Sequence, residues 1–362
     1  MNVKIEEAWF KSKSLSLRMP FAISKGTLES ADNIYFFLRD SLGNIGLGEA
    51  APFPVLTFDD QAKVAALAEL ELKNFVGLPT DQALTNVLGD LRKKYYLDSP
   101  TFLTGLEMAL WDLRAKQMKA PLARIFGPEN LKFMSTDITL PIMNRTEVVQ
   151  FWNTFSNHGF KEVKVKVGGK SAGEDADRVE EIYQLSNPSV KISLDGNQGC
   201  SIDSSLELLA KLNQRGIHPV LFEQPLGDSD FSGMTELCQK SSIPICADEM
   251  VKTSQDALKV IQLKSCDMIN LKIMKSGMSE ALKIAQIAKS AGLGLMIGGM
   301  LESEVAMTAS LHLACGTGMI DWLDLDTPFF MSESVTLENP WATKNAQLVC
   351  PHSPGLGLTF ID

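Results

Sequence analysis

VKISLDGNQG at 190–199, LFEQP at 221–225 and CADEM at 246–250 decide the architecture. Each is a short apolar run that stops on a carboxylate: Asp195, Glu223 and Asp248. The acids stand 28 and 25 residues apart, one strand–helix repeat each. The same rhythm extends in both directions. Strands are predicted at Ser135–Leu140, Glu162–Val167, Val190–Asp195, Val220–Glu223, Ile245–Ala247, Met268–Lys272, Gly294–Ile297 and Trp322–Asp324. Amphipathic stretches between them include Thr146–Asn157, Glu174–Ser186, Ser204–Gln214, Ser254–Leu263, Ser279–Ala291 and Glu304–Cys315. Eight strands alternating with helices predict an α/β fold, a TIM-type barrel, with a doubly wound open sheet as the alternative.

Upstream, Val3–Lys11 and Asn33–Arg39 lean to strand, and Gly43, Asn44, Gly46 and Gly48 punctuate a hairpin. Residues 51–58 read as a loop. Helices are expected over Phe58–Phe75, Thr80–Lys94 and Pro100–Gln117. The expected organisation is an α+β unit over 1–125, completed by the tail 336–362, and a barrel over 126–335.

In a barrel, reactive side chains sit at the C-terminal strand ends. Three successive acids at one rim make a cluster that a hard divalent cation would hold, and oxygen-only ligation points to Mg²⁺, with Mn²⁺ possible. Incidental helix caps are the plain alternative. Lys164 and Lys166 share a face of the second strand, either into the barrel or outward. Lys272 ends the sixth strand, 24 residues past Asp248, with Lys275 beyond it. In a closed barrel Lys166 and Lys272 face each other, a geometry for taking a proton from one side of a carbon and returning it on the other. Asp324 and Asp326, two apart after the eighth strand, form either a trap for a cationic group or a loop-capping pair.

The composition is that of a soluble globular chain: 362 residues, 45% hydrophobic, 22% charged, net charge −10. That sign disfavours nucleic acid and anionic membrane as partners. No run approaches a spanning helix. MNVKIEEAWFKSKS lacks an apolar signal core, so a cytoplasmic protein is expected. The six cysteines and four histidines are scattered, without zinc spacing or a triad pattern. VGGKS at 167–171 lacks the early glycine of a phosphate loop, and GLG at 292–294 lacks dinucleotide spacing.

Taken together, ALWDLRAKQMKAPLARIFG (109–127), VKVKVG, LDGNQG, FEQP, ADE and NLKIMKSG resemble, in order and spacing, the enolase superfamily, its muconate-lactonizing-enzyme subgroup, and within it the dipeptide epimerases. The resemblance spans nearly the whole chain. It implies an α+β capping domain over a modified (β/α)7β barrel. It implies Mg²⁺ on Asp195, Glu223 and Asp248, and Lys166 and Lys272 as acid/base residues, with Lys164 tuning Lys166 toward the working pH. The metal would stabilise the enediolate formed when a carboxylate loses its α-proton. Asp324 and Asp326 would bind the α-ammonium group of a dipeptide and repel a succinyl carboxylate. Epimerases acting on Ala-Glu carry an arginine in the first-domain loop; here PFAISKGTLES (20–30) has none. Gly26 stands in its place beside Lys25. Ile23, Phe53, Met300, Leu301 and Phe329 supply apolar material, so a hydrophobic second residue is expected. An o-succinylbenzoate synthase or N-succinyl amino acid racemase is the alternative within the fold, and a non-catalytic barrel the alternative outside it. A homo-oligomer is expected.

Overall fold

Apolar runs ending in polar residues pair side by side, in chain order, as eight parallel strands. They are β4 (Ile138–Leu140), β5 (Glu162–Lys166), β6 (Lys191–Asp195), β7 (Phe222–Glu223), β8 (Ile245–Ala247), β9 (Met268–Leu271), β10 (Gly294–Ile297) and β11 (Trp322–Leu323). A parallel bridge from Thr136 to Leu323 joins the first strand to the last, so the sheet curls into a barrel and not an open sheet. The computed structural model describes residues 3–127, 134–186, 189–342 and 345–361. Parts of the expected units, at 1–2, 128–133, 187–188, 343–344 and 362, lie outside the described residues.

Two strands run as the sequence predicts, and the others are shorter. At the first, Met134–Ser135 leaves the barrel to pair with Gln347–Leu348 of the tail. The connecting helices are α3 (Arg145–Phe155), α4 (Ala172–Leu185), α5 (Ile202–Gln214), α6 (Phe231–Lys240), α7 (Ser254–Leu263), α8 (Met278–Ser290) and α9 (Glu304–Thr317). Helix α6 is not among the stretches named from the sequence; FSGMTELCQK carries glycine, serine and threonine, which lower its helix propensity. Its start is fixed by Asp230, whose side chain accepts from the Gly233 amide.

The N-terminal unit is an antiparallel meander, β1 (Ile5–Ile23), β2 (Gly26–Asp40) and β3 (Ile45–Ala50). The two long strands correct the sequence reading, which stops them early and leaves 20–30 as a loop. Phe21 and Ile23 are buried on alternate positions, so the strand period runs on to a two-residue tip at Ser24–Lys25. Helix α1 (Gln61–Glu71) covers the middle of the first predicted helix. The second is interrupted by a π-helical turn at Ala83–Val87, and the 51–58 loop holds one helical turn at Pro54–Thr57. Helix α2 (Pro100–Gln117) forms as predicted and lies directly on the sheet. Gly48 and Gly105 make that approach possible. A Cβ at Gly48 would meet the Gly105 carbonyl oxygen at 2.1 Å. Tail residue Phe360 packs tilted against Tyr35 and edge-on to Phe37, with ring centroids 4.7 and 5.1 Å away. Among the described residues no helix is long and apolar enough to cross a membrane.

Two buried acids of this unit grip the barrel at helix N-termini, where orphaned amides and the helix dipole favour an anion. Glu107 of α2 accepts from the Met278 and Ser279 amides at the start of α8, at 2.8 and 3.1 Å. Glu49 of β3 accepts from Ser303 N, Ser303 Oγ and Ala306 N, each at 2.8 Å, at the start of α9. Asn33 Nδ2 and the Tyr35 hydroxyl also donate to Glu49, at 2.7 and 3.5 Å. Burial outweighs these donors and pushes the Glu49 carboxyl up to about 7.

Glu49→Ala leaves several buried donors unpaired at the joint. We expect it to cost at least about 3 kcal/mol, read as a lower denaturant midpoint. An unchanged midpoint would show that the joint does not depend on this acid.

Candidate active site

Strand alternation places the site. On β5, Val163 and Val165 pack outward into the helix layer, while Lys164 and Lys166 point into the barrel, only 2% and 5% exposed. This settles the phase that the sequence leaves open. Asp195 and Glu223 end β6 and β7 as register partners, and Asp248 directly follows β8. All three are fully buried. Lys272 follows β9, four strands around from β5, so it faces Lys166 across the mouth. Asp324 and Asp326 follow β11, with Leu325 turned away into the core. Their loop is held by Thr136 Oγ1 on the Leu325 amide at 2.8 Å and by Trp341 Nε1 on the Leu325 carbonyl.

The charges interlock. Lys166 Nζ meets Asp195 Oδ2 at 2.6 Å. Lys164 Nζ bonds Asp324 and lies 3.3 Å from Glu223 and 3.5 Å from Asp195. Lys272 Nζ meets Asp248 Oδ2 at 2.7 Å and Glu223 Oε1 at 4.0 Å. Lys275, noted in the sequence without a role, binds Asp248 through Oδ1 and the main-chain oxygen, both at 2.6 Å. Asn270 Nδ2 bonds Glu223 at 2.7 Å. Gly298 leaves room for this cluster: a Cβ there would lie 2.6 Å from Asp324 Oδ2 and 2.9 Å from Asn270 Nδ2.

Electrostatics follow from burial and pairing. Burial works against the charged form of Lys164, but Asp324, Glu223 and Asp195 outweigh it and hold the ammonium well above its ordinary range. The same balance, with Asp248 first among the acids, holds Lys272 up. The nearest charges to Lys164 and Lys272 are carboxylates. Glu223 is pushed up to about 8 by burial and by Asp195. Burial would raise Asp248 too, but Lys272 and Lys275 pull it far below the carboxylate range. Burial and Asp324 raise Asp326 to about 6.

Asp195, Glu223 and Asp248 offer oxygen donors only. Among the described residues, Asp248 Oδ2 is met by the Lys272 ammonium at 2.7 Å. That donor set fits a hard divalent cation. The carboxylates that converge within 4.8 Å of one another among the described residues are a different set, which escaped the sequence reading. Asp137, at the foot of β4, joins Asp324 and Asp326, with one oxygen from each within 4.8 Å of the others. TDITL carries no strand-end acid, and only the fold reveals Asp137 as a neighbour.

The pocket beside the charges is lined by Phe21, Ile23, Phe53, Leu56, Thr139 and Met300, among others. Ile23, Phe53 and Met300 are thus where the sequence expects them. Gly26 is not among the lining residues; it opens β2 at the hairpin tip, 3.8 Å from Val55 as measured from a built Cβ. Leu301 is not among them either. Phe329 packs edge-on to His158 and Phe160, centroids 5.2 and 5.1 Å away. The short helical turn Thr327–Phe330 carries its ring away from the pocket. The hairpin tip is docked by Ser24 Oγ on the Gly196 and Asn197 carbonyls, at 3.2 and 2.9 Å.

Comparison with known proteins gives consistent matches. Residues 5–127 match the family model described as mandelate racemase / muconate lactonizing enzyme, N-terminal domain. Residues 147–362 match the model described as enolase C-terminal domain-like. An aromatic dipeptide epimerase of Herpetosiphon aurantiacus is 35% identical over 88% of this chain and 89% of its own. A hydrophobic dipeptide epimerase of Citrifermentans bemidjiense is 32% identical over 99% and 98%. The crystal structure of a dipeptide epimerase from Enterococcus faecalis, complexed with Mg and L-Leu-L-Tyr, superposes with a TM-score of 0.90. It is 28% identical and covers 98% of this chain and 99% of that one.

Removing Asp248 strands two buried ammonium groups. Asp248→Ala should destabilise the fold by about 3–5 kcal/mol at pH 7, measured by urea unfolding. Because the folded-state value of Asp248 is depressed, the deficit is complete above the unfolded carboxyl value of about 4 and closes only below it. A deficit that grows on acidification would contradict the pairing.

Proposed function

Since this chain belongs to the enolase superfamily, in the mandelate racemase / muconate lactonizing enzyme family, we propose that it is an isomerase acting as a dipeptide epimerase. It inverts the α-carbon of the C-terminal residue of an L-Ala-Xaa-type dipeptide. The observation that carries the reading is the pair of lysines, Lys166 and Lys272, on opposite sides of a mouth whose third side bears Asp324 and Asp326.

The dipeptide's ammonium group lies against Asp324 and Asp326. Its carboxylate faces Asp195, Glu223 and Asp248, which would hold Mg²⁺. When bound, the ion neutralises charge that develops on the carboxylate as the α-proton leaves. One lysine takes the α-proton and the other delivers a proton to the opposite face. Lys164, kept charged by Asp324, Glu223 and Asp195, is a fixed cation beside Lys166. The second side chain meets Phe21, Ile23, Phe53, Leu56 and Met300. No arginine is present in 20–30. An unpaired carboxylate there would carry a desolvation cost, so apolar Xaa is favoured. The relatives named above, aromatic and hydrophobic dipeptide epimerases, support the same preference.

The test is α-proton exchange in D₂O, followed by NMR, with Mg²⁺ and Ala-Xaa dipeptides. Ala-Phe or Ala-Leu should outperform Ala-Glu, and chelation should abolish exchange until Mg²⁺ is restored. Lys166→Ala and Lys272→Ala should each stop epimerisation. Full exchange by metal-stripped enzyme, or epimerisation by either lysine variant, would end this reading.

A second expectation concerns pH. Asp326 must be ionised to attract an ammonium group, so kcat/KM should fall as pH drops below about 6. Asp326→Asn should remove that limb and cost roughly 1.5–3 kcal/mol, about 10- to 150-fold in kcat/KM at pH 7.5. N-acetylated dipeptides should be poor substrates; equal turnover of free and acetylated forms would refute the ammonium role.

A further inference from the structure

Asp137 has no part in the reaction as derived so far. It lies two residues before Thr139, so its side chain enters the barrel on the same face and one layer deeper. It is 2% exposed. One of its oxygens lies within 4.8 Å of an oxygen of Asp324 and of Asp326, and its Oδ1 receives no hydrogen bond from the described residues. The charged groups around it are Asp324 and Asp326 from the loop after β11, with Lys164 and Glu162 from β5. A buried carboxylate oxygen without a donor, set against two further carboxylates, demands an explanation.

We propose that Asp137 is a positioning residue for the ammonium site: its carboxyl donates a hydrogen bond to Asp324 or Asp326 from beneath and fixes the spacing of the pair that receives a primary ammonium group. The inference rests on the role given above to Asp324 and Asp326.

Charge accounting selects the donating form. Lys164 and the incoming ammonium group bring two positive charges; Asp324 and Asp326 bring two negative ones. An ionised Asp137 would add a third negative charge with no partner in a site closed to water. A protonated Asp137 has an O–H to give, and the two carboxylates are acceptors beside it. The orphaned oxygen is then satisfied, and the pair is held apart at a set distance before substrate arrives. Burial, and after it the Asp324 charge, push this group well above the carboxylate range, which accords with the geometry.

The test compares Asp137→Asn and Asp137→Ala in the full-length, Mg²⁺-loaded protein, with L-Ala-L-Phe as the probe. Asparagine keeps an N–H donor in place. Its KM should stay within about threefold of native, whereas alanine should raise KM by roughly tenfold or more with kcat within about threefold. A purely structural role would instead lower kcat and stability together. Independently of turnover, the infrared difference spectrum of native protein minus Asp137→Asn at pH 7 should show the carbonyl stretch of a protonated carboxyl. An asparagine variant as impaired in KM as alanine would overturn the proposal, as would an alanine variant with native KM. Absence of the acid band would overturn it even if the alanine variant does not fold. If native protein turns over no dipeptide, the epimerase reading fails by itself, and the infrared band still decides the state of Asp137.

Discussion

Charge has to balance where the barrel is closed to water. Lys164, Lys166, Lys272 and Lys275 are buried with Asp195, Glu223, Asp248 and Asp324, and none can be left alone there without a prohibitive loss of hydration. This requirement selects strand register more sharply than hydrophobicity does. Lys166 and Asp195 are direct partners across β5 and β6, and Asp195 and Glu223 across β6 and β7. Sliding β5 by one residue would turn both lysines into the helix layer and strand Asp195. The helices, the joint with the N-terminal unit and the loop after β11 are arranged around a ring that its own ions hold in register.

Much of this was legible in the amino-acid order, for a physical reason. A parallel strand buried on both faces must be apolar, so a polar residue at its end stands out. Asp195, Glu223, Asp248 and Lys272 are visible on that ground alone. Lys164 and Lys166 are harder, since VKVKV is compatible with either phase. What stayed hidden depends on distance through space. Asp137 sits at a strand start, where an acid is usually unremarkable, and becomes a neighbour of Asp324 only when the barrel closes. Lys275 lies in a helical turn, and its partnership with Asp248 joins residues 27 apart. Phe329 shows the opposite error. It is close in sequence to Asp326, yet a single helical turn carries its ring to the far side of the wall.

The N-terminal unit is attached by carboxylates that terminate helices belonging to the other unit. Glu49 is bonded to residues 303 and 306, immediately after the segment carrying Met300. The joint and the pocket wall are therefore one continuous piece of chain. The tail adds to the same construction, with Trp341 holding the main chain between Asp324 and Asp326. The pocket lining is divided accordingly: its charged groups come from barrel strand ends, and most of its apolar residues from the N-terminal unit.

The hairpin that brings Phe21 and Ile23 to the pocket has a consequence for how such a protein can diversify. Its tip is registered on the Gly196 and Asn197 carbonyls, and its side chains alternate between the pocket and the outside. Next to this tip the ladder is short: three pairs, Phe21–Leu28 to Ile23–Gly26, stand apart from the rest of the hairpin because the register breaks between Ser16 and Phe21. The break absorbs a change in arm length before it reaches the long strands, while the inward positions of the tip stay at 21 and 23. Heritable change in what the pocket admits is thereby channelled into substitutions at 21 and 23. The ring of buried ions, carried on other strands, is left untouched by them.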